Sequence, residues 1–348
     1  MRRKFGAILL TALILLTLCG CGRKEAKDLF TEGSALLENG QTEEALAVFE
    51  SLAETGQFTA EAYRAMGLCD LELMNYPDAC VAFERARNNT DGQDAAFIRD
   101  VDLYLALART LHSENDKAID IYTEMLRSEA DPMVYYLRGS LYMTEGMTEE
   151  ASEDFHNAAE MNPDYSLYIS IYQIYADADK DADGTEFLKM ALDRAEADED
   201  AYYDRGLVYF YLQNYNEAGN QLLKALEKDP DDSQAMLLLG RVYLTQGDTA
   251  NARALFRGHT EDDSAGAAYN GLALCDIGEG NYESAMENVT KGLEYADDSS
   301  RQALLFNEIV ILENQAEWSE ARQKASAYVV AYPTDTKGIR ENQFLQDR

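Results

Sequence analysis

A small residue returns along this chain at an almost fixed interval, and that recurrence limits the possible folds more than any other feature of the sequence. Ala45, Ala79, Ala118, Ala151, Gly184, Ala218, Ala252, Ala285 and Ala321 are separated by 34, 39, 33, 33, 34, 34, 33 and 36 residues. Twelve residues before each anchor lies a second position, small at Gly33, Gly67, Ala106, Gly139, Gly206, Gly240 and Ala273 and large at Tyr172 and Ile309. Four residues after it the chain places Phe49, Phe83, Tyr122, Phe155, Leu188, Leu222, Phe256 and Val289. A period of this length is one supersecondary unit that cannot bury its apolar face alone, so consecutive units must stack.

Two helices per unit account for the pattern. A small side chain on each lets the two backbones approach closely, and the large residue one turn on fills the space beside that contact. The fourth unit shows every part: a first helix through Met143, a turn at Glu145-Gly146, a second helix around Ala151 to Met161, and Pro163 to stop it. Pro230 and Pro333 stand at the equivalent position of two other units. Only 5 prolines occur in 348 residues, so few helices are interrupted, and 46% hydrophobic residues supply enough apolar surface for a core.

This spacing of glycine, alanine, aromatic and proline resembles the tetratricopeptide repeat. The resemblance spans residues 26–333 as about nine units, the sixth nearly as complete as the fourth. It implies an all-α, right-handed superhelical solenoid, and residues 334–348, with Ile339, Phe344 and Leu345, suit a C-terminal capping helix. Two departures stand out: Arg109, where an apolar residue is usual, and Gly184 beside an unusually acidic turn. The longest interval falls at a turn-rich stretch, Asn88 to Gln93.

By the same resemblance the chain is a non-enzymatic scaffold that holds a protein or peptide on the first helices of its units. That surface would carry Met133, Tyr136, Ser140 and Met143 in the fourth unit, Ile169 and Gln173 in the fifth, and Tyr203, Leu207, Phe210 and Tyr211 in the sixth. Arg64 and Arg241 are its basic groups. The basic clamp that some members use to grip a terminal carboxylate is missing, with Leu68 at its asparagine position. Aromatic rings bring large apolar area with few rotatable bonds, so they make good anchors. Stacking of the same rings on sugars makes capture of a glycan or small ligand the alternative function.

The first residues read as an export signal. Met1-Arg2-Arg3-Lys4 is basic, Phe5 to Leu18 is apolar and too short to span a bilayer with ease, and Cys19-Gly20-Cys21-Gly22 follows. Leu18-Cys19-Gly20-Cys21 resembles the lipobox of bacterial lipoproteins. The resemblance makes residues 1–20 a signal peptide, Cys21 the lipidated (palmitate-type) residue, and residues 21–25 a short tether. The expected location is the extracytoplasmic face of a bacterial cell membrane, held by lipid.

Charge narrows the partners. The chain carries 30 Lys+Arg against 64 Asp+Glu, a formal charge of −34 that becomes −37 without the signal segment. Nucleic acid is disfavoured, because phosphate contacts demand Lys and Arg, and a basic protein segment is favoured.

No spacing points to catalysis or to a cofactor. The three histidines, His112, His156 and His259, fall in different units, without His-Glu-x-x-His, paired Cys-x-x-Cys or a glycine-rich phosphate loop. Asp179, Asp181 and Asp183, followed by Gly184, match the first half of a calcium loop, but Met190 stands where the bidentate glutamate belongs, and an acidic turn explains the run equally. Cys69, Cys80 and Cys275 fit small core residues; Cys69 and Cys80 flank one turn, which leaves a bridge between them open.

Overall fold

The computed structural model describes residues 21–194 and 201–348, so residues 1–20, read from the sequence as a signal peptide, lie outside the described residues. The chain divides into two compact units, one ending at Asn162 and one beginning at Pro163. The first contains α1 (Cys21–Glu38), α2 (Thr42–Glu54), α3 (Thr59–Glu72), α4 (Tyr76–Asn88), α5 (Ala95–Leu111), α6 (Asn115–Ser128), α7 (Pro132–Thr144) and α8 (Thr148–Met161). The second contains α9 (Tyr165–Asp177), α10 (Asp181–Arg194), α11 (Tyr202–Tyr211), α12 (Tyr215–Lys228), α13 (Ser233–Thr245), α14 (Thr249–Arg257), α15 (Ala265–Glu279), α16 (Tyr282–Tyr295), α17 (Asp298–Asn314), α18 (Trp318–Ala331) and α19 (Thr336–Gln346).

No strand occurs among the described residues, and within each unit every helix packs on the next. This is the all-α stack of helical hairpins that the repeat spacing predicts. No described helix is long and apolar enough to cross a membrane. Residues 21–25, read from the sequence as a tether, open α1, and Ala26 behind them is buried.

Each hairpin turns through one left-handed residue placed five before its anchor. Gly40, Met74, Ser113, Gly146, Asp179, Gln213, Gly247, Gly280 and Ala316 occupy this position with φ between 57° and 77°. The next residue returns its N–H to a carbonyl one turn back, as in Gln41 to Leu36 at 2.9 Å, Met147 to Tyr142 at 2.8 Å and Glu317 to Leu312 at 2.9 Å. Those bonds satisfy carbonyls that the end of a helix would otherwise leave unpaired. Several first helices start from an aspartate whose carboxylate accepts backbone N–H groups: Asp131 takes those of Met133 and Val134, and Asp232 those of Gln234 and Ala235.

The helix contacts follow the sequence pattern. All eight alanine anchors are fully buried. A Cβ built on Gly33 would lie 2.7 Å from Phe49, and on Gly67 2.7 Å from Phe83, so the large residue of the second helix fills the space the glycine leaves. The fifth unit reaches the same closeness with the sizes exchanged: its large residue is Tyr172 on α9, and Gly184 on α10 is the small one, where a Cβ would meet Tyr175 at 2.7 Å and Tyr172 at 3.2 Å.

Arg109 is accommodated by charge rather than by packing. Its side chain is 12% exposed, and its guanidinium donates to Glu84 of α4 and to Glu114 in the turn after α5. At the end of the chain, Leu345 of α19 is buried with Phe306, Ile309, Leu312 and Tyr328, so the last helix covers the apolar face of the final hairpin.

At three places the structure decides between sequence readings: it favours the acidic turn over the calcium loop and core cysteines over a bridge, and it removes Met143 from the binding surface. The acidic run at 179–184 is the ordinary hairpin turn: Asp179 is its left-handed residue, Asp181 and Asp183 lie in the first turn of α10, and Gly184 packs inside a helix. That arrangement does not fold these carboxylates around a calcium ion, and they form no convergent ligand group among the described residues. Met143 is 7% exposed, because the inward face of α7 also carries Val134, Gly139 and Leu141; it offers no surface to a partner. Cys69 and Cys80 are free and buried, and burial pushes the Cys69 thiol up to about 12. Such a thiol stays protonated and is a poor nucleophile.

Candidate functional site

Helix α11 carries Tyr203, Leu207, Phe210 and Tyr211 at positions that share one helical face. Its neighbours supply the rest of a patch: Gln173 from α9, backed by Tyr172, which is itself only 7% exposed, Tyr215 from the start of α12, and Arg241 from α13. Tyr203, Leu207, Phe210 and Tyr215 rest one flank on the buried core of Ala218, Leu222, Leu238, Leu239 and Val242 and remain half-exposed.

The rings are joined edge to face and by tilt. Tyr211 lies 4.8 Å from Tyr172 between ring centres, and Phe210 lies 6.1 Å from Tyr211 and 5.7 Å from Tyr215. Gln173 Nε2 donates to the Tyr211 hydroxyl at 3.3 Å. The Arg241 guanidinium sits 4.8 Å above the centre of Phe210, a cation–π contact that leaves the exposed arginine without a carboxylate ion-pair partner among the described residues. Burial, followed by the nearby Asp232 charge, raises the Tyr203 phenol above its ordinary value. Burial and then Asp181 do the same for Tyr172. Both hydroxyls therefore remain neutral and able to donate a hydrogen bond.

The structure thus brings together Tyr203, Leu207, Phe210, Tyr211 and Arg241. Tyr136 belongs to the first unit, half-buried on α7 with its ring 6.2 Å from Phe155. Met133, at the start of the same helix, is 59% exposed. Ile169 is buried, so of the two α9 residues expected on the binding surface Gln173 is the exposed one. Sequence reasoning missed Tyr172 and Tyr215. Tyr172 was visible as an exception to the small-residue rule, but nothing local indicated that its ring would reach Tyr211.

Several arginines are paired within the chain. Arg64 pairs with Asp100 and lies 5.4 Å over Tyr104, Arg99 pairs with Asp131, and Arg138 grips Asp154 at 2.7 and 2.8 Å. Arg253 bonds Asp276 and Glu279 at 2.8 and 2.9 Å. A polar recess of about 310 Å³, near the lower limit for small-molecule sites, is lined by Glu84, Arg87, Arg109 and Lys117, with Arg109 already engaged by Glu84.

Comparison with known proteins agrees with the repeat geometry. Sequence profiles of the tetratricopeptide repeat match residues 30–95, 134–165 and 203–268, and these segments are tetratricopeptide repeats. The BBSome complex member BBS4 of Bos taurus is 25% identical over 187 residues, covering 52% of this chain and 36% of the relative. Tetratricopeptide repeat protein 37 of Xenopus laevis is 26% identical over 263 residues, covering 68% of this chain and 16% of the relative. The chain therefore spans little more than a third of the first relative and about a sixth of the second. Among solved structures, a tetratricopeptide repeat protein from Parabacteroides merdae aligns with a TM-score of 0.47 and 16% identity, over 71% of this chain and 98% of that one. Yeast Tom70 aligns with a TM-score of 0.40 and 13% identity, over 93% of this chain and 95% of that one.

Proposed function

We propose that this chain is a non-enzymatic adaptor that holds a protein or peptide partner against the tyrosine patch of α9, α11 and α13. The observation that carries this reading is the set of half-exposed rings at Tyr203, Phe210 and Tyr211 with Arg241 stacked on Phe210. Tyr203 and Phe210 are already ordered by the core behind them and Tyr211 by Tyr172 and Gln173, so docking there loses little additional side-chain entropy on this chain's side. The acidic excess together with internally paired arginines favours a basic segment in that partner and steers its approach.

The lipobox-like Leu18-Cys19-Gly20-Cys21 supports placing the adaptor at the extracytoplasmic face of a bacterial membrane, anchored by lipid on Cys21. Substitution of Cys21→Ala moves the protein out of the membrane fraction on this reading; retention in that fraction overturns the anchor. The adaptor role is tested by crosslinking in the native cells, with the wild type beside a Tyr203→Ala, Phe210→Ala, Tyr211→Ala variant, and identifying captured proteins by mass spectrometry. A discrete protein lost from the variant supports the role and its site. Absence of any captured protein from both moves the assignment to capture of a glycan or small ligand.

A further inference from the structure

Away from the tyrosine patch, two turns of the second unit bring a histidine and two aspartates together. Asp231 lies in the turn between α12 and α13, while His259 and Asp262 lie in the turn between α14 and α15. Each offers one ligand atom, and the three atoms lie within 4.8 Å of one another.

The arrangement is held by contacts that do not depend on charge balance within the trio. The backbone N–H of Ser264 donates to Asp262 Oδ1 at 2.8 Å, which leaves Oδ2 facing the imidazole. The Ser264 hydroxyl donates to the backbone carbonyl of Asp231 at 3.2 Å and ties one turn to the other. Outer hydrogen bonds of this kind orient metal ligands. His259 Nδ1 stands 2.8 Å from Asp262 Oδ2. Metal bonds of about 2.0–2.2 Å in a tetrahedral sphere place neighbouring ligand atoms about 3.3–3.6 Å apart, so this pair must open by about half an ångström or slightly more to share an ion. Asp231 is exposed, and one of its carboxylate oxygens already lies within 4.8 Å of the ligand atoms of the other two.

We propose that Asp231, His259 and Asp262 form a binding site for a divalent transition-metal ion of the zinc class, which joins the two turns on either side of the α13–α14 hairpin. One imidazole nitrogen with two carboxylate oxygens suits Zn²⁺, Co²⁺ or Ni²⁺; the nitrogen donor makes Ca²⁺ a poor occupant. Water completes the coordination sphere, as expected where the protein gives three ligands. An imidazole beside two carboxylates also has Asp229, Asp232, Glu261 and Asp263 as sequence neighbours, and a dipositive ion relieves that crowding of negative charge.

The test is a zinc titration of the full, untagged chain after chelator treatment, followed by calorimetry and by thermal unfolding. Expected are one ion bound per chain and a rise in Tm with zinc that calcium does not reproduce. His259→Ala and Asp262→Asn each weaken binding by about tenfold or more and remove the Tm rise. As a check that needs no variant, Co²⁺ bound to the wild type gives a visible d–d spectrum, and zinc-edge X-ray absorption shows one imidazole nitrogen among oxygen neighbours. Unchanged affinity in His259→Ala, sulfur in the first coordination shell, or no binding by the wild type overturns the site.

Discussion

Phe256 closes directly on Gly240: a Cβ built on the glycine would lie 2.0 Å from the ring's Cζ. Gly271 on α15 closes on the same ring, where a Cβ would lie 2.3 Å from Cε1, which leaves the ring little room to shift. One phenyl group therefore sets the closeness of α13, α14 and α15, and its spacing from Gly240 is that of Phe83 from Gly67 and of Phe155 from Gly139.

Gly240→Ala is expected to destabilise the chain by about 1–3 kcal/mol, the range for forcing a methyl into a filled core, despite the helical preference of alanine. Gly219→Ala on α12 serves as its opposite. There a Cβ meets Val242 and Leu239 at 3.8 and 3.9 Å, ordinary contact distances. Gly219→Ala is expected to stabilise by about 0.5–1 kcal/mol through reduced chain entropy in the unfolded state. Urea unfolding of both variants checks the sign as well as the size.

The hairpin turns offer a second pair. Ala316 holds φ at 62° and Gly146 at 76° at the same repeat position. A side chain in the left-handed region costs about 1–2 kcal/mol, against about 0.5–1 kcal/mol of extra backbone entropy for glycine. Ala316→Gly is therefore expected to stabilise by about 0.5–1 kcal/mol, and Gly146→Ala to destabilise by about 1 kcal/mol. A shift of the denaturation midpoint in the same direction for both variants would refute this account.

The repeat architecture was legible because most units write the same contact in the same place, from Gly33 with Phe49 to Gly240 with Phe256. The turn position was half legible. Glycine announces it at Gly40, Gly146, Gly247 and Gly280, but Met74, Ser113, Gln213 and Ala316 adopt the same φ without any local signal, since the packed hairpin imposes it. The same imposition makes Asp179 a turn residue and dissolves the calcium motif. Contacts between distant residues were the illegible part. Arg109 reads as a fault until Glu84, 25 positions earlier, is seen beside it. Tyr172 and Tyr211, in separate repeats, meet through packing that no short motif encodes.

Stability should fall with rising pH at the C-terminal cap. Glu313 on α17 is half-buried, and burial, then a hydrogen bond shared with Glu341 of α19, pushes its carboxyl up to about 7. The folded chain holds this proton more tightly than the unfolded chain, so the favourable balance is complete below the ordinary glutamate range. It is lost as pH rises from that range through about 7. Glu313→Gln, which cannot ionise, is expected to match the wild type at about pH 4 and to exceed it at about pH 8. Unfolding curves for both proteins at the two pH values decide the matter; a variant less stable at the higher pH would contradict the shift.

Binding at the tyrosine patch should separate by residue. Tyr211 is held by Tyr172 and Gln173 on the patch surface, whereas Tyr203 and Phe210 also lie against the core. Tyr211→Ala is expected to weaken capture of the crosslinked partner by about tenfold, as for a central interface anchor, with little change in Tm. Arg241→Ala uncovers one face of Phe210 and removes the patch's unpaired positive charge. For a basic partner that change relieves repulsion, so association is expected to quicken at low salt and to approach the wild-type rate as salt is raised. Slower association of Arg241→Ala at low salt would instead identify an acidic partner docking on the arginine. Stopped-flow or surface-resonance rates across a salt series distinguish the two outcomes without requiring any change in the fold.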